Sequence, residues 1–341
     1  MNLEVRVGLV AWLVVTSACT GAIPPAPDRP AVRSRAFELG PMRIDGTYGS
    51  MAGPYAEQTF DFSDMDWIVG FRSEVTDASS GERMSDEFFC HSQMQLGNDT
   101  RLIVTAMGIP SIRFPEGFGV PLKRILAGMP EQWRGVHLFG MVLNNHHPGL
   151  RKDVKVRLTV EYQSFAEGAV SADLKKLYKQ GLTMTYEPEP GETAGHPPGC
   201  GLVVEGRTEH WYVPPGRQVT RRRFSNIVSL DARVHHAVVH LHNYGRSMRL
   251  TDLTAGKVLW ETNAIYEPDR VQIAQIPAYS SVDGFPVYAS HEYEIEAVYD
   301  NTTDKPVDAM AMMYLFWHPP GNEDLTYPAG PPAVGESAPG S

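Results

Sequence analysis

Two histidines separated by one leucine form the pattern with the clearest chemical meaning in this sequence. His240 and His242 end the run Val-Val-His-Leu-His at residues 238–242. Residues two apart on a β-strand project from the same face, so both imidazoles can reach one metal ion. His236 lies two positions earlier on that face, whereas His235 faces the other way. The alternative interpretation is that these are polar surface or core histidines.

A methionine-rich segment in the same half of the chain adds a second type of donor atom. Residues 308–317 read Asp-Ala-Met-Ala-Met-Met-Tyr-Leu-Phe-Trp. This segment is apolar on both faces, which is typical of a buried core strand with methionine as filler. A thioether beside two imidazoles is also a soft ligand set that suits copper, and Cu(I) in particular.

Short alternating segments surround these residues and predict an all-β fold. Residues 154–162 show the clearest pattern, with apolar residues at 154, 156, 158 and 160 and polar residues between them. Such alternation indicates a half-buried antiparallel strand. The other predicted strands lie near residues 67–71, 87–96, 101–106, 137–143, 202–204, 210–213, 234–250, 293–300 and 309–317. Frequent short strands favour antiparallel β-sandwiches of a jelly-roll-like kind.

The length of the chain predicts two such domains in tandem. A chain of 341 residues is longer than a single hydrophobic core usually supports. A more helical stretch at 171–180 and a segment rich in Pro and Gly at 188–201 separate the halves. We therefore expect an N-terminal domain over residues 37–190 and a C-terminal domain over 200–320. The tail at 321–341 is poor in apolar residues, so we expect it to be disordered.

The N-terminus has the pattern of an export signal. Residues 1–18 contain Arg6, an apolar run too short to span a bilayer, and the small residues Ser17 and Ala18. Cys19 then matches a bacterial lipoprotein cleavage site, except that Thr16 replaces the usual leucine. The sequence predicts a protein of the bacterial periplasm or cell surface, anchored by a lipid on Cys19 through a Pro-rich linker at 19–36. An ordinary secretory signal is the alternative.

Charge and cysteine content limit the partners and covalent links. The net charge of -10 gives no basic surface for nucleic acid or anionic lipid, so contact with a membrane is expected only through the lipid anchor. Cys90 and Cys200 remain besides Cys19. In an exported protein these two either form one disulfide or remain as buried thiols.

The order and spacing of several motifs resemble one enzyme family. Val-Pro-Pro-Gly at 213–216 is followed by the His-Leu-His run, by Gly245, and by Asp-Ala-Met at 308–310 with Tyr314 four positions on. This arrangement is similar to the C-terminal domain of the type II copper, ascorbate-dependent monooxygenases, the family of peptidylglycine α-hydroxylating monooxygenase and dopamine β-monooxygenase. Weaker matches reach back to about residue 55.

The resemblance implies a catalytic copper site and a reaction. His240, His242 and Met310 would be the copper ligands, and Tyr314 would lie in the catalytic pocket. Dioxygen would bind at this copper, a substrate C–H bond would be hydroxylated, and ascorbate or another small reductant would supply electrons. The expected partners are therefore a small-molecule substrate, O2 and a reductant.

The same resemblance implies a second, electron-supplying copper in the N-terminal half, where the sequence departs from the family. The family has an adjacent His-His pair and a later third histidine, but here the pair is His91-Ser92 and the third position is Asn144. His146 can substitute for that third histidine, with His147 adjacent. Alternatively, His91, His146 and His147 are surface or turn histidines and the second site is lost.

The residues expected around the substrate also differ from those of the peptide-processing member of the family. Its Arg and Asn, which bind a peptide carboxylate, are replaced by Val238 and Met312, and only Tyr314 is retained. Together with Phe316 these residues predict a small neutral or aromatic substrate. A different class of function is the alternative: a lipoprotein that stores, senses or transfers copper without catalysis, which the incomplete second site favours.

Overall fold

The computed structural model describes residues 31–97, 100–165, 174–185, 203–204, 207–268 and 272–321. The predicted signal at 1–18, Cys19, most of the linker at 19–36, Cys200 and nearly all of the tail at 321–341 lie outside these residues. Within the described residues, helices are few and short, and none is long and apolar enough to cross a membrane.

The first half of the described chain is built from two four-stranded sheets. Its strands are β1 Arg33–Ile44, β2 Tyr55–Phe60, β3 Trp67–Asp77, β4 Phe89–Leu96, β5 Arg101–Ala106, β6 Ser111–Arg113, β7 Phe118–Gly119, β8 Val136–Val142 and β9 Lys152–Gln163. One helix, α1 Leu122–Gly128, and 3-10 turns at Asp86–Phe88 and Glu131–Trp133 complete this half. The sheets have the strand orders β1-β9-β3-β6 and β2-β8-β4-β5, and neighbouring strands in both are antiparallel.

The second half repeats this plan with two further four-stranded sheets. Its strands are β10 Lys175–Lys176, β11 Tyr178–Thr183, β12 Val203–Val204, β13 Arg207–Thr208, β14 Trp211–Val213, β15 Gly216–Ser225, β16 Ala232–Leu241, β17 Gly245–Asp252, β18 Lys257–Asn263, β19 Ile265–Tyr266, β20 Ile273–Gln275, β21 Tyr279–Val287, β22 Glu292–Asn301, β23 Val307–Ala309 and β24 Ala311–His318. The large sheets have the orders β11-β24-β16-β21 and β15-β22-β17-β18. The all-β sandwich fold predicted from the sequence is confirmed.

Strand β9 shows why the alternating segments form sandwiches. The apolar residues at 154, 156, 158 and 160 are fully buried, whereas the polar residues between them are partly exposed. One face of the strand therefore packs into the core while the other meets solvent, as the period of two requires. The observed strand is a little longer than the predicted segment at both ends.

The helical interpretation of residues 171–180 is wrong for its described part. Residues 175–176 and 178–183 form β10 and β11, and β10 pairs in parallel with β7. Tyr178 lies opposite Trp317, and Thr183 opposite Met312, along the edge of β24. Pairing with a preformed strand edge outweighs the weak local helix preference. β11 lies within the N-terminal domain predicted over residues 37–190, but it joins a sheet of the second half. The exact division between the two domains therefore remains a prediction.

The two halves share one continuous hydrophobic core. The backbone N–H of Ile276 donates to the carbonyl oxygen of Gly108 at 2.8 Å. Gly108 has a φ of +82°, which other residues rarely adopt, and a Cβ there would lie 3.0 to 3.1 Å from side-chain atoms of Ile273 and Ile276, so glycine is favoured at this close approach. The ring of Phe114 packs 4.9 Å from that of Phe316. The face of β16 and β24 that carries His236 and Phe316 is therefore in contact with the first half of the chain.

Candidate metal centre

Strand β16 carries the predicted histidine pair in the middle of a sheet. It lies between β24 and β21, and His240 is opposite Met312 on β24. His242 follows the end of the strand, and its ring centroid lies 5.1 Å from that of His240. Both side chains are buried, with 8% and 5% exposure respectively. The structure thus brings together the two imidazoles that the His-Leu-His spacing predicts to converge.

A third histidine and an aspartate complete the cluster. His210, His242 and Asp308 offer ligand atoms that all lie within 4.8 Å of one another. Asp308 Oδ2 accepts from Nδ1 of His242 at 2.9 Å, and its Oδ1 accepts from Nδ1 of His210 at 3.2 Å. One carboxylate therefore orients two imidazoles, an arrangement that commonly supports histidine ligands of metals.

Pairing between β14 and β23 places these residues together. Trp211 lies opposite Ala309, and Tyr212 lies opposite Asp308. His210 immediately precedes β14 and is only 2% exposed. The sequence prediction missed His210, because it is an isolated histidine thirty positions before His240 and no spacing rule connects them. The proximity depends on a strand pairing that spans nearly a hundred residues.

The first half of the chain also contributes contacts to this cluster. The carbonyl oxygen of Met107 accepts from Nδ1 of His240 at 3.3 Å, which leaves Nε2 as the nitrogen of His240 that can bind a metal. Ser50 Oγ lies 3.2 Å from Nε2 of His242. His91 Nδ1 lies 3.4 Å from the thiol of Cys90, and its ring stacks on Phe139 at 5.2 Å. The first half of the chain therefore contacts His240 and His242, whereas the clustered ligand groups belong to the second half.

Burial keeps imidazoles in this region neutral. It lowers the pKa of His91 to about 3, with further contributions from Arg101, His242 and His210. Burial, followed by the charge of His242, also lowers the pKa of His240 well below its ordinary value. For Asp308, burial alone would raise the pKa, but His242 and His210 together hold it well below the usual range. His91 and His240 are therefore neutral near pH 7, and neither has to lose a proton before it binds a cation.

Met310 and Tyr314, the other predicted residues of the catalytic site, lie on the neighbouring strand segment. Met310 is partly buried between β23 and β24, and its carbonyl oxygen accepts from the His242 N–H at 3.3 Å and from the Tyr299 hydroxyl at 2.6 Å. Tyr314 is buried opposite Val238, and its hydroxyl lies 3.5 Å from the sulfur of Met312. The histidines, Met310 and Tyr314 are thus neighbours in the folded chain.

The residues of the predicted second copper site are placed in different surroundings. His91 is buried on β4, whereas His146 and His147 are exposed in the turn after β8. His147 Nε2 pairs with Glu87 Oε2 at 3.1 Å. In the described part of the chain, these three histidines do not form a group of converging metal ligands.

The two residues that replace family histidines have structural contacts of their own. The Ser92 hydroxyl joins a buried network with Ser73 and Thr105 at 2.6 and 2.7 Å. The side-chain amide of Asn144 donates to the carbonyl oxygens of Gly46 and His147, and so fixes the turn. Both side chains are therefore engaged in structural hydrogen bonds.

Cys90 and the basic run at 221–223 both lie outside the cluster of ligand groups. Cys90 is a free, buried thiol whose pKa is raised to about 11 by burial. Cys200 lies outside the described residues, so the disulfide stays a prediction. The Arg-Arg-Arg run at 221–223 lies on β15, where Arg221 contacts Glu294 and Glu296 and Arg223 contacts Glu294.

Comparisons with known proteins identify no family for the chain. No family model matches it, and no curated protein matches it. Among solved structures, it is similar to PNGase F, a glycosylasparaginase from Flavobacterium meningosepticum, at 10% identity and a TM-score of 0.37, covering 84% of this chain and 96% of that one. A putative secreted protein from Eubacterium rectale matches at 8% identity and a TM-score of 0.22, covering 79% of this chain and 70% of that one. Likeness at this level carries no argument about function.

Proposed function

We propose that this chain binds a copper ion between its two halves and uses it to hydroxylate a C–H bond of a small neutral or aromatic molecule. Dioxygen and a reductant such as ascorbate would be the co-substrates. The observation that supports the proposal is the convergence of His242, His210 and Asp308 beside His240. The resemblance of the sequence to type II copper monooxygenases supplies the reaction class.

The donor atoms present fit a copper ion. Imidazoles suit copper, zinc, iron and nickel, whereas a thioether selects for copper, and Cu(I) in particular. His240 and His242 each have Nδ1 hydrogen-bonded to an oxygen acceptor, so Nε2 is the nitrogen that would hold the metal. The backbone of Met310 contacts His242, and the Met310 thioether would be the further ligand that the sequence resemblance implies. Copper, when bound, would supply one-electron redox chemistry and a binding position for dioxygen.

The protein's own residues would set the geometry and polarity of the centre. Asp308 holds two imidazoles in one orientation, and the carbonyl oxygen of Met107 holds a third. Burial of His240 and His242 keeps water away from the ligands and strengthens electrostatic interactions at the centre. A site preorganised in this way loses little free energy on reorganisation when the oxidation state changes.

The face beside the centre supports the choice of substrate. Cross-strand pairing puts His236 with Phe316, Val238 with Tyr314, and His240 with Met312 on one face. None of these six residues is a lysine or an arginine that could pair with a carboxylate.

Lys179 is a cation close to Tyr314 that the sequence analysis did not consider. Its amino group lies 5.3 Å from the ring of Tyr314 and donates to the carbonyl oxygen of Arg101. Burial lowers the pKa of Lys179 to about 7, with a smaller contribution from Arg101, so its charge is weakened near neutral pH. Lys179 is therefore the cation to test if an anionic peptide proves to be a substrate.

A non-catalytic copper protein, for storage, sensing or transfer, is the second candidate. The family reaction uses a second copper to deliver electrons. Buried His91 and exposed His146 and His147 do not converge on such a site within the described residues, which favours this candidate. A single buried centre is well suited to hold an ion and less suited to repeated two-electron turnover.

Copper stoichiometry and reductant-dependent oxygen consumption together test the proposal. We expect the purified chain to bind copper and to consume oxygen with ascorbate when neutral aromatic compounds are supplied, and to form hydroxylated product. A glycine-extended peptide should be a poor substrate and a poor competitor. Tight copper binding with no substrate-dependent oxygen consumption would favour the second candidate, and no tight copper binding would overturn both.

A further inference from the structure

A cavity separate from the candidate metal centre collects basic side chains. Its volume is about 640 Å³, and it is lined by Lys175, Arg233, His235, Val282, Asp283 and His318, together with residues 319–321. Four of these side chains carry or can gain a positive charge, whereas only Asp283 carries a negative one. The concentration of basic groups is notable in a chain with a net charge of -10.

The two imidazoles of the cavity are held in fixed orientations. Nδ1 of His235 donates to the carbonyl oxygen of Ser281 at 3.2 Å, and Nδ1 of His318 donates to that of Lys176 at 2.9 Å. Phe118 stacks on His235 with ring centroids 4.0 Å apart. The rings of His235 and His318 are 6.3 Å apart. Both rings are therefore positioned before any ligand arrives.

The two permanent cations are also positioned, and neither contacts a carboxylate within the described residues. Arg233 donates from Nε to the carbonyl oxygen of Asp283 at 2.5 Å and from Nη2 to that of Gly284 at 2.7 Å. Lys175 Nζ lies 5.4 Å from the centroid of the Phe118 ring. Elsewhere the chain pairs many of its basic residues, such as Arg157 with Glu38 and Glu74. Within the described residues, Lys175 and Arg233 therefore form no ion pair that would balance their charges.

We propose that this cavity binds a small oxyanion, either a phosphate or a carboxylate group of a soluble molecule. Arg233 and Lys175 would balance its charge, and His235 and His318 would contact its oxygens. Arginine held in a fixed plane is well suited to oxyanions, because less conformational freedom is lost per hydrogen bond. Burial lowers the pKa of His235 to about 4, with smaller contributions from His318, Lys175 and Arg233, and a bound anion would offset the repulsion from those cations.

Calorimetric titration of the full chain at fixed ionic strength tests this site. Inorganic phosphate and citrate are the two probes, and saturable binding of either one supports the proposal. Phosphate binding alone identifies the phosphate class, and citrate binding alone identifies the carboxylate class. No saturable binding of either probe would overturn it.

Matched lysine variants assign the binding to the cavity. Lys175→Gln should weaken the probe by about fivefold or more, because it removes one charge-assisted contact. Lys257→Gln, which changes an exposed lysine of β18 outside the cavity, should leave the affinity unchanged. Equal weakening by both variants would show only general charge attraction and would overturn the site. Both variants should retain wild-type copper content, so this test is independent of the proposed metal function.

Discussion

The histidines of the C-terminal half and those of the N-terminal half occupy two kinds of position. His240 and His242 are presented by a central strand and are oriented by oxygen atoms from other elements. His146 and His147 are exposed in a turn, and their neighbour Asn144 serves that turn. His91 belongs with the first group, since it is buried on β4 near the C-terminal imidazoles.

The two groups differ because a buried strand determines side-chain direction and a turn does not. On β16 the side-chain direction is fixed because a slip of one residue would move every side chain to the opposite face, and both faces of this strand are buried and packed. A turn has no such constraint, so sequence proximity there does not imply convergence on a ligand. The comparison can be tested with substitutions in both regions.

The largest expected effect is on copper binding at the strand histidines. In the His240→Ala, His242→Ala double variant, copper content should fall from about one ion per chain to about none, because two imidazole ligands are removed from one face. Circular dichroism should show an unchanged β fold. Metal analysis after dialysis makes the measurement, and a copper content equal to that of the wild type would disprove the assignment of this centre.

Asp308→Asn should have the next largest effect. The variant keeps the size of the side chain but removes the charge that orients His210 and His242, so copper affinity should fall about tenfold to a hundredfold. Asp304→Asn, an exposed change four positions earlier, is the control and should have no effect. A competition titration with a chelator measures both affinities. If the two variants bind copper equally well, Asp308 does not position the ligands.

The buried and exposed histidines should also differ in how they link pH to stability. The folded pKa of His91, about 3, lies below its ordinary value of 6.5. The burial of neutral His91 therefore does not reduce the free energy of unfolding above pH 6.5. As the pH falls from 6.5 towards 3, His91 gains a proton in the unfolded chain but not in the folded chain, so the free energy of unfolding falls. At pH 5 the metal-free chain should have lost about 2 kcal/mol through this residue alone.

Urea unfolding of metal-free variants measures this linkage. His91→Gln should flatten the dependence of the free energy of unfolding on pH between 7 and 5, whereas the exposed change His146→Gln should leave it as in the wild type. An equal slope in wild type and His91→Gln would mean that His91 titrates normally and is not buried as a neutral group.

The smallest effects concern the predicted second copper. His146→Ala and His147→Ala should leave copper content and affinity unchanged, because neither histidine converges with His91 in the described structure. His91→Ala should weaken binding by about tenfold or less through its proximity to the first centre. A stoichiometry of about two ions that drops on His146→Ala would instead establish the His91 and His146 site that the family resemblance implies.

The sequence predicted those features that depend on local periodicity. Alternation identified β9, and the His-Leu-His spacing predicted two neighbouring imidazoles, which lie on β16 and directly after its end. It failed at 175–183, because the edge of β24, which determines the strand conformation there, is more than a hundred residues away. His210, Met107 and Ser50 were missed for the same reason, since only tertiary pairing brings them to the centre.

The crossing of β11 into the second sandwich has a practical consequence for dissecting the protein. A fragment beginning at residue 200 would lack β11, and so would leave the backbone groups of β24 unpaired along Met312 to Trp317. An open, apolar strand edge is a template for intermolecular association. Such a fragment should self-associate unless a peptide covering 174–185 is added in trans, so complementation by that peptide is a direct way to reconstitute the second half of the molecule.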